Sequence, residues 1–286
     1  MNDTVFFSVL YPGVEIYLDD YLASLARQSC QEFDLFFAND GLQDIGHWIE
    51  KYPTLSITVQ PFIGSPAKIR GQGIRQLIFS GYEYAIFGDA DDFFAKNRVE
   101  VSRAMLQEFD IVVSDLTLAD ARGHKTLSNY ISHRYADRAE ISLQEIEGKN
   151  LFGFSNTAIR LGTLPFFSFP DDLVAVDWFF FTLLLMERKR AVFTNKTETF
   201  YRQHGENTVG MGRFTEEGIL RAVDVKKDHY EALQHASGRF RQLYSLFVSL
   251  KQKLATNEWR VHYIESVNDI TPAFPLWWEV AREECC

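Results

Sequence analysis

The chain alternates short runs of apolar residues with longer segments in which apolar residues recur every three or four positions. This alternation predicts strands that are each followed by an amphipathic helix. The predicted strands are Val5–Leu10, Asp34–Ala38, Leu55–Gln60, Tyr82–Phe87 and Phe109–Ser114. The predicted helices are Tyr17–Gln28, Gln43–Lys51, Ala67–Ser80 and Asn97–Gln107. Their order favours an α/β fold with a mostly parallel sheet that is covered by helices on both faces.

The pattern is less regular after Ser114. The polar segment Asp120–Ser142 predicts a mobile loop beside the functional site. The remaining predicted elements are a buried helix over Leu173–Arg188, two strands over Arg190–Thr194 and Thr197–Arg202, and two helices over Glu216–His235 and Arg239–Ala255. Because no linker rich in Gly, Ser or Pro precedes the last helices, they are interpreted as an appendage of the same body.

Composition indicates a folded chain whose partners are not nucleic acids. Of the 286 residues, 46% are apolar and 25 are Phe, which is enough for a substantial core. The formal net charge is −10, and no long basic run is present, so a phosphate backbone is not an expected partner. Three cysteines without metal-ligand spacing fit the reducing cytosol, and we expect a cytoplasmic protein.

Two apolar segments bear on membrane contact. The longest apolar stretch, Leu173–Met186, contains Asp177 and is shorter than the roughly 20 residues of a membrane span. The pair Trp277-Trp278 leaves peripheral contact with the inner face of a membrane open, because Trp favours interfaces. Packing of that pair in the core is the preferred interpretation.

The segment Asp89-Ala90-Asp91-Asp92 is the strongest chemical signal of the chain. It follows the predicted strand Tyr82–Phe87, so three carboxylates lie at the carboxyl end of a strand, where open α/β sheets bind ligands. Clustered carboxylates repel one another, and a divalent cation would neutralise them; oxygen ligands suit Mg²⁺ or Mn²⁺. The alternative is a solvated turn in which Asp92 caps the next helix.

The ends of the other parallel strands point to the same edge of the sheet. The first strand ends at Tyr11-Pro12-Gly13 and the second at Asn39-Asp40-Gly41. Asp40 there would accept hydrogen bonds from a nucleobase or a ribose, or it would belong to an ordinary turn. Its convergence with the acidic cluster favours the binding role.

Basic residues precede the acidic strand. Arg70 lies near the start of the helix Ala67–Ser80, beside Gly71-Gln72-Gly73. A guanidinium near a helix N-terminus suits a pyrophosphate, and a surface salt bridge is the competing interpretation. The two glycines do not form a dinucleotide-binding motif.

Two further residues are candidates on local grounds. Asp177 lies at the head of an apolar helix, where burial would raise its pKa toward the range that a general base needs. It could instead be a helix N-terminal residue, with Asp171 or Asp172 as the cap. His204 precedes a segment with several glycines and would serve as a metal ligand, a phosphate donor or a structural residue.

These motifs together resemble the family 2 glycosyltransferases, which have the GT-A fold. The resemblance rests on Tyr11-Pro12, Asn39-Asp40-Gly41, Arg70 with Gly73-Ile74, Gly81–Tyr84, Phe87–Asp92, Val176-Asp177-Trp178 and Tyr201–Thr208. It covers about residues 5 to 210 and leaves the C-terminal helices outside. It implies a GT-A domain over residues 1–214, with a nucleotide-sugar half over about 1–115 and an acceptor half over about 116–214, and a helical extension over 215–286.

The resemblance also implies an activity of the bacterial, inverting type. A sugar would pass from a nucleotide-diphosphate sugar to a hydroxyl of a glycan or glycolipid acceptor, in surface polysaccharide or glycolipid synthesis. Asp177 would be the catalytic base. Tyr11, Pro12, Asp40, Arg70, Asp89 and Ala90 would bind the donor, and Asp91, Asp89 and His204 would hold Mn²⁺ or Mg²⁺.

Two alternatives stay open. Gly13-Val14 and Gly71 depart from the family pattern, which keeps a catalytically inactive binder of nucleotide sugars or glycans in consideration. An Asp-x-Asp-Asp cluster also suits phosphoryl or nucleotidyl transfer. That chemistry would place the cluster, or a glycine-rich basic loop, after the first strand, whereas here the cluster follows the fourth.

Overall fold

A computed structural model describes residues 2–164, 167–204 and 215–282 of the chain. The described part contains one mixed sheet with helices packed on both of its faces. Its strands are β1 (Thr4–Leu10), β2 (Asp34–Asn39), β3 (Ile57–Pro61), β4 (Tyr84–Phe87), β5 (Phe93–Phe94), β6 (Ile111–Ala119), β7 (Lys125–Leu127), β8 (Glu140–Ile141), β9 (Thr157–Arg160) and β10 (Ala191–Arg202). Its helices are α1 (Glu15–Ala26), α2 (Gly46–Lys51), α3 (Pro66–Phe79), α4 (Arg98–Leu106), α5 (Leu143–Ile146), α6 (Val176–Met186), α7 (Glu216–Leu233), α8 (Gly238–Lys253) and α9 (Asn257–Ile270).

The first half of the sheet confirms the predicted α/β architecture. Strands β3, β2, β1 and β4 are neighbours in that order, and all three pairs are parallel. Each strand is joined to the next through a helix, as parallel pairing requires. The carboxyl ends of β1, β2 and β4 therefore meet at one edge of the sheet.

The second half of the sheet differs from the predicted pattern. Strand β9 lies between β4 and β6 and is antiparallel to both. The two predicted strands after Arg190 form the single strand β10, which pairs in parallel with β6 and shifts register between Thr194 and Glu198. That shift explains why the polar residues Asn195 and Lys196 interrupt the apolar pattern without ending the strand.

The segment predicted as a mobile loop is anchored to the core. It contains β7 and β8, and the side chains of Tyr130 and Ile131 are buried. The carboxylate of Asp115, at the middle of β6, accepts hydrogen bonds from the backbone N–H groups of Ile131 and Ser132. Polar composition therefore marks only the exposed face of this segment.

The C-terminal helices pack onto the sheet body. Helix α7 contacts both α6 and α8, and a third helix, α9, follows the two that were predicted. Residues of these helices belong to the same apolar cluster as β6 and α6, including Tyr230, Phe247 and Tyr263. The division into a domain over 1–214 and an extension over 215–286 stays a prediction.

Trp277 and Trp278 are buried, each about 6% exposed. The backbone N–H of Asn150 donates to the carbonyl of Trp277, and the Trp277 ring meets the ring of Tyr201 edge-on. Packing thus accounts for the Trp pair. Within the described ranges, no helix is long and apolar enough to cross a membrane.

Candidate functional site

Glycines allow close packing at the acidic edge of the sheet. A Cβ atom on Gly88 would lie only 2.5 Å from the Phe94 ring and as close to Phe6, so only glycine fits between β4 and the acidic residues. A Cβ on Gly73 would lie 2.5 Å from Phe7, and one on Gly71 would lie 3.1 Å from Phe169. These two glycines therefore serve the packing of α3, which brings Arg70 to the end of β4.

Asp89 and Arg70 face each other at this edge. Arg70 Nη2 lies 3.4 Å from Asp89 Oδ1, and the guanidinium lies over the Phe154 ring at 5.5 Å from its centre. Burial raises the pKa of Asp89; the Arg70 charge lowers it, and the Asp91 charge raises it further. Because the distance between Arg70 and Asp89 is long for an ion pair and both side chains are partly exposed, Arg70 can exchange Asp89 for another anion.

The Asp91 carboxylate contacts residues from two distant parts of the chain. His204 Nε2 lies 2.8 Å from Asp91 Oδ2, and the Tyr11 hydroxyl lies 3.4 Å from the same oxygen. The His204 ring stacks on Tyr17 of α1, with ring centres 5.0 Å apart. Burial and the nearby carboxylates raise the pKa of Tyr11, so its hydroxyl stays protonated at neutral pH and donates a hydrogen bond to Asp91.

Asp92 is structural in this arrangement. It is buried and accepts hydrogen bonds from the Ser155 hydroxyl and from the Arg202 N–H at 2.7 Å. Helix α4 begins at Arg98 with Asn97 at its N-cap, so Asp92 does not cap it. Burial and the charges of Asp91 and Asp89 raise the pKa of Asp92 well above its usual range.

The buried side chain of Arg202 holds the backbone of the acidic turn in place. Its Nε donates to the Asp91 carbonyl at 2.7 Å, and its Nη2 donates to Asp20 at 2.9 Å. Its guanidinium also lies over the Tyr17 ring at 4.8 Å. A fully buried cation therefore offsets part of the negative charge of the cluster and sets the conformation of its backbone.

Asp177 approaches the same cleft from α6. It is the second residue of the helix, whose N-cap is Ala175, so neither Asp171 nor Asp172 caps it. Burial raises the pKa of Asp177 to about 6, against the lowering effects of the Trp178 N–H and of Arg70, while the Asp89 charge raises it further. A carboxylate with this pKa is largely ionised at neutral pH and can still accept a proton from a hydroxyl group.

The geometry at the end of β2 is compatible both with an ordinary turn and with a ligand-binding role for Asp40. The Asn39 side chain bonds the backbone of Leu42 in both directions at 2.9 Å, as in an ordinary turn. Asp40 is half-buried beyond that turn, and its N–H donates to the Leu10 carbonyl at 2.7 Å. Pro12 lies beside Gly41, which has a φ of 87°. The Asp40 side chain has no partner among the described residues, so it is available to a ligand.

The structure thus brings together Tyr11, Asp89, Asp91 and His204, and places Arg70 and Asp177 within electrostatic range of Asp89. Ala90 is buried in the same turn. Sequence reasoning missed Tyr17, Phe154 and Ser155, since nothing in their local pattern distinguishes them from other apolar or loop residues. Residues 205–208, the rest of the motif that starts at Tyr201, lie outside the described residues.

Asp91 and His204 suit a divalent cation whose remaining coordination positions are filled by a bound molecule. No three His, Cys, Asp or Glu side chains converge in the parts of the chain that the structure describes. Asp91 Oδ2 and His204 Nε2 are 2.8 Å apart, at hydrogen-bond distance, so a carboxylate oxygen and an imidazole nitrogen lie next to each other. Mg²⁺ is usually bound by one or two carboxylates together with substrate phosphates, so these residues fit such a metal.

Comparison with known proteins shows the fold. No family model and no curated protein matches the chain, but solved glycosyltransferase structures do. The structure of S. aureus TarS 1-349 in complex with UDP-GlcNAc matches with a TM-score of 0.61 and 20% identity, over 96% of this chain and 82% of that one. GalNAc-T7 with UDP, GalNAc and Mn²⁺ matches with a TM-score of 0.53 and 12% identity, over 96% and 58%.

The chain has the GT-A fold. This confirms the fold that the motifs implied, while membership of family 2 stays a prediction. The chain spans 48% of the longer TarS structure, with a TM-score of 0.59. In the GT-A fold described here, the acidic turn after β4 and Asp177 of α6 lie at the carboxyl edge of the sheet, where α/β folds place their ligands.

Proposed function

We propose that the protein transfers a sugar from a nucleotide-diphosphate sugar to a hydroxyl group of an acceptor. One observation carries the proposal: within a GT-A fold, an acidic turn with Arg70 faces a half-buried carboxylate, Asp177, whose pKa is raised to about 6. The similar structures bind UDP, UDP-GlcNAc, or UDP with GalNAc and Mn²⁺. The acceptor class that we favour is a glycan or glycolipid.

The donor would lie along the carboxyl edge of the sheet. Asp40 would accept from the base or ribose, with Tyr11 and Pro12 beside it. Arg70 would leave Asp89 and pair with the diphosphate, because a phosphate carries more charge and accepts a guanidinium in two hydrogen bonds. Mn²⁺ or Mg²⁺, held by Asp91 and His204 with Asp89 near, would supply Lewis-acid stabilisation of the leaving diphosphate.

Asp177 would act on the acceptor. Its carboxylate would take the proton of the attacking hydroxyl while the hydroxyl oxygen bonds to the anomeric carbon and the bond from that carbon to the diphosphate oxygen breaks. Attack opposite the leaving group inverts the anomeric configuration. The apolar neighbours of Asp177 raise its pKa, so the ionised form is a stronger base than an exposed carboxylate.

The first experiment is a thermal-stability screen with nucleotide diphosphates and nucleotide sugars, each with and without Mn²⁺. A ligand at 100 times its Kd adds roughly 2.7 kcal/mol to the free energy of unfolding. We expect one nucleotide to raise Tm in a metal-dependent way and Asp91→Ala to abolish that rise. If no nucleotide or nucleotide sugar raises Tm in a metal-dependent way, the proposal is overturned.

A second experiment separates transfer from binding. Asp177→Asn should still show the metal-dependent shift with the nucleotide sugar but should release no nucleoside diphosphate in the presence of acceptor. If wild-type protein binds the donor and neither transfers nor hydrolyses it with any glycan acceptor tested, the chain is a binder of nucleotide sugars.

A further inference from the structure

A cavity lies away from the acidic turn, between α5, α7, α8 and the C-terminal segment. Its volume is about 330 Å³. Tyr230, Leu243 and Phe247 form its apolar lining, and charged side chains of both signs complete it. A cavity of this volume admits a small molecule.

Each acidic residue of the cavity already has a protein partner. Glu279 accepts two hydrogen bonds from Arg134, at 2.6 and 2.9 Å. Glu147 lies 3.1 Å from Arg239, and Glu145 accepts the backbone N–H of Ser142 at 2.8 Å. Each of these carboxylates is therefore ion-paired or hydrogen-bonded within the protein.

The basic residues of the cavity outnumber the acidic ones. Lys149, Lys226, Arg239 and Arg282 line the cavity, and Arg134 lies directly behind Glu279. Lys226 is fully engaged as a structural residue, because its ammonium donates to the carbonyls of Gly148 and Ala281. In a chain with a net charge of −10, an excess of basic residues around one cavity is a local exception.

Lys149 is the residue that indicates a ligand. Among residues 2–164, 167–204 and 215–282 it makes neither a hydrogen bond nor an ion pair, although it is half-buried at the cavity wall. Burial and the positive charges of Arg134 and Arg282 lower its pKa, while Glu279 and Glu145 raise it. An ammonium group in this position gains a partner when an anion enters.

We propose that this cavity binds a small anion, carrying a phosphate or carboxylate group, through Lys149. Phosphate and carboxylate oxygens accept charge-assisted hydrogen bonds from an ammonium group, which are stronger than those between neutral groups. The proposal does not depend on the glycosyltransferase activity.

Trp178, the residue after the proposed base, contacts two elements that form the cavity wall. The indole N–H of Trp178 donates to the Ile146 carbonyl at 2.8 Å, at the end of α5, and the Trp178 ring meets that of Tyr230 at 6.0 Å. Trp178 follows Asp177 directly in α6. Trp178 therefore connects the cavity wall with the helix that carries Asp177.

The test uses the 286-residue protein, with inorganic phosphate and citrate as the two probes. Trace labelling with acetic anhydride, followed by peptide mass spectrometry, reports the accessibility of each lysine. We expect millimolar phosphate or citrate to reduce labelling of Lys149 severalfold and to leave exposed Lys51 of α2 unchanged. Protection by one probe alone identifies which of the two anionic groups the cavity takes.

Calorimetric titration of variants provides the second readout. Lys149→Gln should weaken anion binding about tenfold or more, since it removes a charged hydrogen bond, and Lys51→Gln should not. A loss in Lys149→Gln that is absent in Lys51→Gln assigns the binding to the cavity. Equal labelling of Lys149 with and without both anions, or equal affinity of Lys149→Gln and wild type, would overturn the proposal.

Discussion

Asp177 illustrates how one residue acquires its chemistry from its surroundings. It lies in the first turn of α6, where the helix dipole favours a carboxylate, but apolar side chains around it favour the protonated form. Burial prevails, and the pKa rises to about 6. The local sequence indicated the apolar environment, but only the fold placed this carboxylate near Arg70 and Asp89.

The first prediction concerns pH. Because a base must be ionised, kcat with the identified donor should rise with pH below about 6 and level off above it. Asp177→Asn should lower kcat by at least about a hundredfold and change the Kd for the donor by less than about twofold. Initial rates between pH 5 and 8 check this, and a flat profile across that range would contradict the assignment of Asp177 as the base.

The second prediction concerns Gly88. A Cβ at this position would overlap the Phe6 and Phe94 rings, so Gly88→Ala should lower the free energy of unfolding by about 1–3 kcal/mol. Gly46→Ala is the matched control, because no atom lies within 4 Å of its Cβ and a helical position favours Ala. Urea denaturation of both variants provides the comparison. Equal free energies of unfolding would show that the Phe6 and Phe94 rings move aside without a loss of stability.

At the scale of elements, α6 and α7 are joined by a stacked pair of rings. The His229 ring of α7 lies parallel to that of Trp178, with centres 3.7 Å apart. His229 is fully buried, and neither ring nitrogen has a hydrogen-bond partner in the described part of the chain. Burial, with a smaller effect of Lys226, lowers its pKa well below the usual range. The contact between the helices therefore depends on a neutral imidazole.

The third prediction follows from that lowered pKa. The unfolded chain binds a proton on His229 near pH 6.5 and the folded chain does not, so acidification through this range stabilises the unfolded state. At pH 5.5 this lowers the free energy of unfolding by about 1.4 kcal/mol. His229→Phe keeps an aromatic ring against Trp178 and should gain about that much more stability at pH 5.5 than at pH 8, as measured by urea denaturation. The same gain at both pH values would contradict a neutral buried His229.

At the scale of the whole molecule, the C-terminal segment returns to the sheet body. Glu279 pairs with Arg134 through two hydrogen bonds and also accepts the Leu276 N–H at 2.8 Å. Tyr130 donates to the Pro275 carbonyl at 2.7 Å, and the His133 ring stacks on Phe274 at 4.0 Å. These contacts join residues roughly 145 positions apart in the chain and make the helices part of one body.

The fourth prediction tests this connection. Glu279 is nearly buried, and its pKa is lowered, chiefly by Arg134, although burial opposes this. Glu279→Gln leaves Arg134 without its charged partner and should cost about 2–4 kcal/mol of the free energy of unfolding at pH 7. The effect should diminish as the pH falls and the wild-type carboxylate is protonated.

Glu140→Gln is the control for that prediction. Glu140 pairs with Arg190 at 2.8 Å, but both side chains are more than half exposed, so the loss should stay below about 1 kcal/mol. Thermal denaturation of both variants makes the comparison. Equal losses would show that the contacts of the C-terminal segment do not depend on the Arg134 pair.

The sequence by itself determined the parts of the molecule that depend on local order. The apolar pattern predicted the parallel strands β1 to β4 and their helices. Strands that are buried on both faces, such as β1, β2 and β4, form continuous apolar runs, whereas the helices bury apolar residues every three or four positions. It also placed the acidic turn and Asp40 at the carboxyl edge, since parallel strands end at the same side.

Only the tertiary structure decided the remainder. Strand β9 pairs with β4 and β6 across the chain, and four residues of ordinary composition carry no signal of such pairing. Ser155 and Arg202 hold Asp92 and the acidic turn through contacts that span 63 or more positions. The cavity lined by Lys149 likewise forms where α5, α7, α8 and the C-terminal segment meet. Such contacts depend on packing between distant segments, which local periodicity does not encode.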